Sequence, residues 1–372
     1  MSILRILMIA PEAIPVPGGG SVEICMLSIA RELSRDHDVT ILSRRSSAYP
    51  AVSRYGRVTV ERIPSGDRKT YLRSILTYLK DNLKKKKFDL IQVDNRPSYM
   101  AQVKKRFPGT PVTLFLHSLT FVPQTKAVAA CLAKADLIIA NSDSLKERLS
   151  HRFPASRSSI RTVHLGVDLD RFHPPDRKSK KQLKARLGLK DAYTILFAGR
   201  VIPRKGVPVL LKAAALLREK VPDVQLLIVG SGSSPYMKSL KAEASRLKLP
   251  VVFAGRISHR SIHRAYGAAD CFVCPSQQHE AFGLVNVEAM ATGIPVIASD
   301  IGGIGEIVKH KHNGYLVRKY THPEEFARYL IRLARSRSLQ AELSHNARKT
   351  AVRHFGWRQT AKALSALYGR FR

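Results

Sequence analysis

The stretch EAFGLVNVEAMATGIPV, residues 280–296, is the most informative part of this sequence. It lies between two apolar runs, 270–274 and 296–298, that are typical of short buried strands. Within the stretch, Leu284 to Thr292 has helical spacing, and Gly293 supplies a C-terminal stop signal. The pattern therefore predicts a buried strand, a loop, a short helix and a second buried strand.

Two carboxylates stand eight residues apart in this stretch. Glu280 falls in the loop that leaves the carboxyl end of the first strand, and Glu288 falls in the early turns of the helix. The amides of Gly283, Leu284 and Val285 open that helix, and free amides at a helix start favour anions. Because carboxylates accept hydrogen bonds from sugar hydroxyls, this combination suits a ligand that carries both a diphosphate and a sugar.

Apolar runs alternate with helical patterns along the whole chain, which is typical of βαβ units and parallel sheets. Strands are predicted at 3–9, 39–42, 90–93, 112–116, 137–140, 161–164, 194–198, 225–229, 251–254, 271–274, 296–298 and 314–317. The fold class is α/β, with two Rossmann-like doubly wound domains at 1–172 and 193–355. The polar, proline-broken segment 173–192 is interpreted as a linker. The amphipathic helix 356–372 either completes the second domain or crosses back to the first.

Length and composition fit a two-domain protein of the cytoplasm. The chain has 372 residues, and its apolar content of 44% is enough for a core in each domain. Four cysteines are too few for a disulfide framework, and Cys271 and Cys274 would point to opposite faces of one strand. The first apolar run is too short for a secretory signal or a membrane span. A reducing, cytoplasmic location is therefore expected.

The charge is strongly positive, at +35 from 63 Lys and Arg against 28 Asp and Glu. Basic clusters at 84–87, 104–106 and 177–181 each fit an ordinary solvated face. The total surplus nevertheless predicts attraction to a polyanion or to an acidic membrane surface. The clusters belong to no recognised nucleic-acid module and have no interleaved stacking aromatics, so a specific nucleic-acid partner is not expected.

A pair of cations follows the first strand of the second domain. Arg200 and Lys205 lie in the loop GRVIPRKG, residues 199–206. A guanidinium group binds phosphate oxygens bidentately and a lysine adds a point charge, so the pair can stabilise a leaving diphosphate in place of a metal. The alternative interpretation is that Arg200 and Lys205 are ordinary solvated side chains among the 63 lysines and arginines of the chain. Their position at the carboxyl end of a strand favours the functional interpretation.

Other candidates also follow predicted strands. Gly18, Gly19 and Gly20 open the first helix, where glycine permits close backbone approach to a ligand, although their spacing is not that of a dinucleotide fingerprint. Gly230 belongs to a tight turn that is expected to face a nucleotide. His117 ends a strand, a position that suits either a packed histidine or a catalytic one.

Taken together, these motifs resemble glycosyltransferase family 4. The resemblance runs in order along nearly the whole chain through Pro17-Gly18-Gly19, His117, Gly166-Val167-Asp168 with Phe172, Gly199-Arg200 with Lys205-Gly206, Gly230-Ser231-Gly232, Glu280-x-Phe282-Gly283-Leu284 with Glu288-Ala289-Met290-Ala291, and Gly302-Gly303 with Glu306. The length and the sequence Asn95-Arg96-Pro97-Ser98 suggest the spore-coat-associated members of that family.

The resemblance implies a GT-B fold, with two domains facing across a cleft and helix 356–372 packing back on the first. It also implies that the domain 1–172 binds the acceptor and that the domain 193–355 binds the nucleotide-sugar donor. It implies a hexosyltransferase that retains the anomeric configuration and needs no metal or other cofactor. The donor is then a UDP-, GDP- or ADP-sugar, and the acceptor is a saccharide or a cell-surface molecule. Peripheral association with an acidic membrane or a spore-coat surface, in polysaccharide synthesis, fits the charge.

The resemblance also assigns roles to single residues. Arg200 and Lys205 hold the donor diphosphate, Glu280 contacts the donor-sugar hydroxyls, Glu288 contacts the ribose, and His117 lies near the transferred sugar. A phosphate and sugar cradle is completed by Phe282, Gly283, Leu284, Val285, Gly18, Gly19, Gly20 and Gly230. The sequence Asp168-Leu169-Asp170 resembles a metal-binding D-x-D of other sugar transferases, but its position at a domain junction favours a capping and hinge role.

Two other functions fit the same residues. A nucleotide-sugar epimerase on the same fold would need no acceptor. A non-catalytic scaffold that binds polyanionic cell or spore material would show salt-sensitive adhesion and no donor turnover. The complete set of pocket residues favours an active transferase over both.

Overall fold

The computed structural model describes residues 3–15 and 20–371. The chain divides into two compact units, of which the first contains the chain up to Gly166 and the segment from Trp357, and the second is Val167–Gly356. The boundary falls earlier than the sequence pattern predicts, at 166 rather than 172. The reason is that Val167 pairs with Gly356 in a parallel bridge, which places 167–172 in the second unit.

The first unit is built on an eight-stranded sheet with the order β3-β4-β2-β1-β5-β6-β7-β8. The strands are β1 (Arg5–Ile9), β2 (Asp38–Arg44), β3 (Val52–Tyr55), β4 (Val58–Ile63), β5 (Leu90–Asp94), β6 (Val112–Leu116), β7 (Leu137–Ala140) and β8 (Ile160–Thr162). All neighbours are parallel except β3 and β4, which form an antiparallel edge hairpin.

The hairpin was missed by the sequence analysis. Its strands mix polar and apolar residues, and β3 is partly exposed along its length, so no continuous apolar run marks it. The six strands predicted in this half are present, and all are parallel strands with largely buried side chains.

Helices connect these strands in the way that parallel sheets require. They are α1 (Ser21–Leu33), α2 (Arg68–Lys86), α3 (Pro97–Arg106), α4 (Lys126–Leu132) and α5 (Asp143–Arg152). Ser142 is the N-cap of α5, because its side chain accepts a hydrogen bond from the Leu145 backbone amide at 2.9 Å.

The second unit is built on a six-stranded, wholly parallel sheet with the order β11-β10-β9-β12-β13-β14. The strands are β9 (Tyr193–Ala198), β10 (Val224–Val229), β11 (Val251–Gly255), β12 (Cys271–Cys274), β13 (Val296–Ser299) and β14 (Gly314–Val317). The helices are α6 (Arg177–Arg186), α7 (Val207–Arg218), α8 (Ser234–Arg246), α9 (His263–Ala268), α10 (Leu284–Ala291), α11 (Ile304–Ile307), α12 (Pro323–Arg335) and α13 (Arg337–His354). The strand–loop–helix–strand order predicted around 280–296 is present.

The segment interpreted as a linker, 173–192, is instead part of the second unit and contains α6. This helix has few apolar residues, so the sequence alone resembles a connector. Ion pairs attach it to the unit: Lys180 and Lys184 both bind the Asp270 carboxylate, at 2.6 and 2.9 Å. Burial alone would raise the pKa of Asp270, but the two ammonium groups outweigh it and hold the pKa below its usual value.

The last helix, α14 (Trp357–Tyr368), belongs to the first unit. The Thr360 hydroxyl donates to the His164 carbonyl oxygen at 2.9 Å, and Ser365 Oγ lies 2.7 Å from His37 Nε2. Tyr368 is fully buried and its hydroxyl donates to the Gln92 side chain. These contacts place α14 against residues of the N-terminal half of the chain.

Candidate active site

Four loops of the second unit leave the carboxyl ends of its central strands. They follow β9, β10, β12 and β13, which are neighbours in the sheet, and they contain the residues 199–206, 230–233, 275–283 and 300–303. In open α/β sheets, ligands bind at this edge, near the point where the strand order reverses. Six of the predicted site residues lie in these loops, namely Arg200, Lys205, Gly230, Glu280, Phe282 and Gly283.

Backbone hydrogen bonds join the loop after β9 to the loop after β10. The Gly199 amide donates to the Val229 carbonyl oxygen at 3.0 Å, and the Val201 amide donates to the Ser231 carbonyl oxygen at 2.9 Å. A Cβ atom at Gly230 would lie 1.8 Å from the Gly199 carbonyl oxygen, so only glycine fits there. Gly230 therefore shapes the loop that carries Arg200.

A cation and a carboxylate meet where the loops after β9 and β12 come together. The Lys205 Nζ atom contacts the Glu280 Oε1 atom, and the Ser276 hydroxyl donates to the same oxygen at 2.8 Å. Both charged side chains are largely buried, with 17% and 14% of their surfaces exposed. The structure thus brings together two residues that the sequence analysis predicted separately.

The backbone of Glu280 is fixed by the loop after β13. The Gly303 amide donates to the Glu280 carbonyl oxygen at 2.9 Å. At Gly302, which has a φ of +61°, an added Cβ would lie 2.1 Å from that same carbonyl oxygen. A residue with a side chain at 302 would push the Glu280 loop away from its position.

The helix α10 begins directly after this loop, with Gly283 as its N-cap. Its first amides lack intrahelical acceptors, and the partly exposed Leu284 and Val285 lie in this first turn. The Phe282 side chain is 2% exposed and packs edge-on against Phe355. Phe282 therefore anchors the loop to the core, so its backbone rather than its ring suits the cradle.

Glu288 is buried on α10 and already has a donor. The Tyr266 hydroxyl donates to Glu288 Oε2 at 2.7 Å, and His259 Nε2 lies 3.7 Å from Oε1. Burial raises the pKa of Tyr266 well above its usual value, so the phenol stays protonated and keeps donating. No motif marks Tyr266 or His259 in the sequence, and the sequence analysis missed both.

Arg200 differs from these residues because it is exposed. In the described part of the chain its guanidinium group pairs with no carboxylate, which leaves its donors available to an anion.

In the first unit, His117 follows β6 and is held by Asp94 at the end of β5. His117 Nε2 lies 2.9 Å from Asp94 Oδ1, and the side-chain amide of Gln92 donates through Nε2 to Asp94 Oδ2 at 2.6 Å. The imidazole ring also stacks on Phe115, with ring centroids 4.5 Å apart. Asp94 is fully buried and fixes the ring orientation. Because β5 and β6 are adjacent and Asp94 stands at the end of β5, its position in the chain could have identified it as a partner of His117.

The glycine-rich segment after β1 is described in part. Gly20 is the N-cap of α1, whereas Gly18 and Gly19 lie outside the described residues. In the first turn of α1, Glu23 is buried, and burial raises the pKa of its carboxyl group.

Asp168 of the D-x-D sequence caps a turn. Its Oδ1 atom accepts a hydrogen bond from the Arg171 amide at 3.1 Å, and its carbonyl oxygen accepts one from the Phe172 amide at 2.8 Å. These contacts agree with the capping role favoured by the sequence analysis.

Comparison with known proteins identifies the family. The sequence model described as Glycosyltransferase Family 4 matches residues 18–171, and the model described as Glycosyl transferases group 1 matches residues 179–350. Spore coat protein SA of Bacillus subtilis (strain 168) is 31% identical over 380 residues, which cover 98% of this chain and 99% of that protein. The chain belongs to glycosyltransferase family 4.

Two further likenesses agree with this assignment. A D-inositol 3-phosphate glycosyltransferase of Streptomyces avermitilis is 33% identical over 287 residues, covering 70% of this chain and 60% of that protein. The crystal structure of HepE from Anabaena in complex with UDP superposes with a TM-score of 0.81 at 21% identity, covering 99% of this chain and all of HepE. The protein is therefore a glycosyltransferase with the predicted GT-B fold, built from two parallel-sheet α/β domains.

Within residues 3–15 and 20–371, no helix of this glycosyltransferase is both long and apolar enough to cross a lipid bilayer.

Proposed function

We propose that this glycosyltransferase moves a sugar from a nucleotide-sugar donor to an acceptor hydroxyl, retaining the anomeric configuration and using no divalent metal. The contact between Lys205 and Glu280 carries the proposal. A cation and a carboxylate side by side at the carboxyl ends of β9 and β12 provide one group for a diphosphate and one for sugar hydroxyls. The start of α10 adds free amides beside them.

The charge that develops in the reaction fits these groups. When the bond between the sugar C1 and the diphosphate breaks, negative charge grows on the diphosphate and positive charge on the sugar ring. Lys205, the exposed guanidinium of Arg200 and the first amides of α10 supply positive charge for the leaving group. In this proposal these protein groups perform the role that a divalent ion has in other enzymes.

Retention requires the acceptor oxygen to arrive on the face from which the diphosphate leaves. The C1–O bond to the phosphate breaks, a C1–O bond to the acceptor forms on the same face, and the acceptor proton passes to the departing phosphate oxygen. Glu280 orients the sugar by accepting hydrogen bonds from the sugar hydroxyls. Lys205 and Ser276 both donate to the Oε1 atom of Glu280, which leaves the Oε2 atom for the ligand.

Glu288 is proposed to bind the ribose of the donor. One of its oxygens accepts from Tyr266, and this contact holds the carboxylate in a single orientation. HepE, which shares the fold, is described in complex with UDP, and this supports a UDP-sugar among the three donor types considered. His117, with its ring fixed by Asp94, is proposed to contact the transferred sugar.

A role in spore-coat or cell-surface polysaccharide synthesis is a second part of the proposal. It is supported by the likeness to Spore coat protein SA and by the net charge of +35. Such a charge favours residence near anionic polymers or acidic membrane surfaces, and its effect weakens as salt rises.

The proposal is tested by a thermal-shift screen with UDP, GDP, ADP and dTDP, followed by a turnover assay in EDTA with sugar donors of the nucleotide that binds. NMR of the product then reports the anomeric configuration. Transfer with retention in EDTA supports the proposal. Conversion of the donor without an acceptor into its epimer would indicate an epimerase, and salt-sensitive adhesion without any turnover would indicate a scaffold.

A further inference from the structure

The exposed side of helix α6 is strongly basic. Six of the ten residues of α6 are lysine or arginine, and two of these bind the Asp270 carboxylate and attach the helix to its unit. Arg177, Lys178 and Lys181 are exposed instead, and they pair with no carboxylate in the part of the chain that the structure describes. Together these three side chains form the α6 surface.

The other two basic clusters of the chain have an ordinary structural explanation. Residues 84–86 lie in the last turn of α2, and residues 104–106 lie in the last turn of α3. The negative end of the helix dipole is at the last turn, so lysine and arginine stabilise both helices there. The positions of these two clusters therefore follow from the stability of the helices that carry them.

The α6 surface has the opposite arrangement. Arg177 and Lys178 occupy the first turn of α6, where the positive end of the dipole disfavours cations, and the described residues of that turn include no acid. Arg177 and Lys181 are four residues apart, and a like-charge pair at this spacing destabilises a helix. The Asp176 side chain offsets part of this cost, because it caps α6 by accepting from the Ser179 amide at 2.8 Å. Stability of the helix therefore does not explain these three cations.

The helix packed against α6 adds charge of the same sign. Leu183 of α6 packs on α9, since a Cβ atom at Gly267 would lie 2.9 Å from the Leu183 Cδ1 atom. α9 contributes the exposed Arg264, and its described residues include no acid. Asp270, which follows α9, is already bound by two lysines of α6. The positive charge of the α6 surface is therefore not neutralised by these two helices.

The chemistry of the α6 surface suits an anionic polymer better than a lipid bilayer. Helices that lie on bilayers combine cations with apolar side chains that enter the interface. The leucines of α6, Leu183 and Leu187, are half-buried, and the exposed large hydrophobic side chains of the described chain lie elsewhere, at Ile3, Val52 and Val352. The α6 surface thus offers charge without apolar area.

We propose that the α6 surface binds a linear anionic polymer, with one phosphate or carboxylate group of the polymer at each of Arg177, Lys178 and Lys181. Arg177 and Lys181 stand one helical turn apart, roughly 6 Å along the axis, so they can hold separate anionic groups of one chain. Binding relieves the repulsion among the three cations. The surface uses none of the proposed donor residues, so polymer binding and sugar transfer are separate properties of the protein.

The test measures the affinity of the full chain for labelled inorganic polyphosphate by fluorescence anisotropy. The variant Lys178→Gln with Lys181→Gln removes two cations of the α6 surface and should bind about 25-fold more weakly, at about fivefold for each lost contact. The control is Lys84→Gln with Lys85→Gln, which removes the same charge from exposed positions of the cluster on α2. Its affinity should stay within about threefold of wild type.

Three further readouts separate this binding from folding and from general attraction. The slope of log affinity against log salt should fall by about two in the α6 variant, one for each lost contact. The thermal midpoint of that variant should not fall, because the helix dipole and the neighbouring charges disfavour the cations it loses. Unlabelled polygalacturonate should compete for the surface, whereas the neutral polymer pullulan should not.

Equal losses of affinity in the two double variants, or unchanged affinity in the α6 variant, would overturn the proposal. Vesicles of phosphatidylcholine with and without phosphatidylglycerol test the membrane alternative. If the α6 variant loses binding to the acidic vesicles but keeps the wild-type affinity for polyphosphate, the surface belongs to a membrane and the polymer proposal is wrong.

Discussion

Lys205 and Glu280 are 75 residues apart in the chain, yet the Nζ atom of one contacts the Oε1 atom of the other. Their two loops meet because β9 and β12 are neighbours in the sheet of the second unit. The Gln277 amide strengthens this junction by donating to the Arg204 carbonyl oxygen at 2.8 Å. An ion pair that is about one-sixth exposed and lies at this edge is well placed to exchange its partner for an incoming anion.

The close packing of the loop after β13 predicts that Gly302→Ala will damage the donor site. The added Cβ would meet the Glu280 carbonyl oxygen at 2.1 Å, so the loop that carries Glu280 must move. We expect donor hydrolysis to fall at least about tenfold, as expected when catalytic groups are displaced by roughly an ångström.

Gly305→Ala provides the control for that variant, since a Cβ there would meet its nearest neighbour, Asp300 Oδ1, at an ordinary 3.6 Å. Wild-type hydrolysis is expected for Gly305→Ala. If Gly302→Ala also keeps wild-type hydrolysis, the backbone of Glu280 does not need the position described.

The buried carboxylate of Glu288 should contribute mainly to donor binding. Glu288→Gln keeps the size of the side chain and an acceptor for Tyr266 but removes the charge. Loss of a charge-assisted bond to a ribose hydroxyl should raise the donor KM about tenfold and leave kcat largely unchanged. Initial rates across donor concentrations measure the split. Glu243→Gln, at an ion pair on α8, is the control, and a fall in kcat with unchanged KM would assign Glu288 a different role.

Asp94 acts through His117, and its replacement should show this. Asp94→Asn removes the carboxylate that lies 2.9 Å from His117 Nε2 and so loosens the ring orientation. We expect kcat for transfer to fall about 10- to 100-fold while donor affinity by calorimetry is unchanged. A parallel loss of donor affinity in this variant would contradict a role confined to positioning the imidazole.

The ion pairs that attach α6 predict a pH-dependent contribution to stability. Burial raises the pKa of Asp270, but Lys180 and Lys184 outweigh it, so the folded-state pKa lies below that of the unfolded chain. The stabilisation is therefore complete above the unfolded pKa of about 3.9 and is lost as pH falls through the folded-state pKa.

The corresponding variant is Asp270→Asn, which leaves two ammonium groups beside a neutral amide. At pH 7 we expect a loss of about 3 kcal/mol in the free energy of unfolding, measured by urea denaturation. The difference from wild type should shrink as the pH is lowered below 4. A difference that stays constant down to pH 3 would mean that the carboxylate charge is not what stabilises α6.

The features that the sequence predicted best are those set by periodicity. Apolar runs such as 225–229 and 271–274 located strands because both faces of a parallel sheet are buried. The hairpin of β3 and β4 escaped prediction because an edge needs no continuous apolar run. The segment 173–192 was misread because α6 has few apolar residues, and the ion pairs of Lys180 and Lys184 that help to attach it leave no periodic pattern in the sequence.

The residues of the candidate site also fall into those that local sequence patterns predict and those that depend on tertiary packing. Residues in motifs at strand ends, such as Lys205 and Glu280, were predicted from sequence, whereas their mutual contact depends on strand order. Tyr266 was missed because its contact with Glu288 depends on how α9 and α10 pack, which no local spacing records.

The central claim is that protein cations, and not a divalent ion, hold the donor diphosphate. Isothermal titration calorimetry in EDTA tests this claim most directly. UDP, GDP, ADP and dTDP are each titrated into the wild-type protein, into Lys205→Ala and Arg200→Ala, and into the control Lys212→Ala, which replaces an exposed lysine. The account predicts that one diphosphate binds wild type and the control equally, and binds each of the other two variants at least about tenfold more weakly. Binding that appears only when Mg²⁺ is added, or equal affinity in all four proteins, would contradict it.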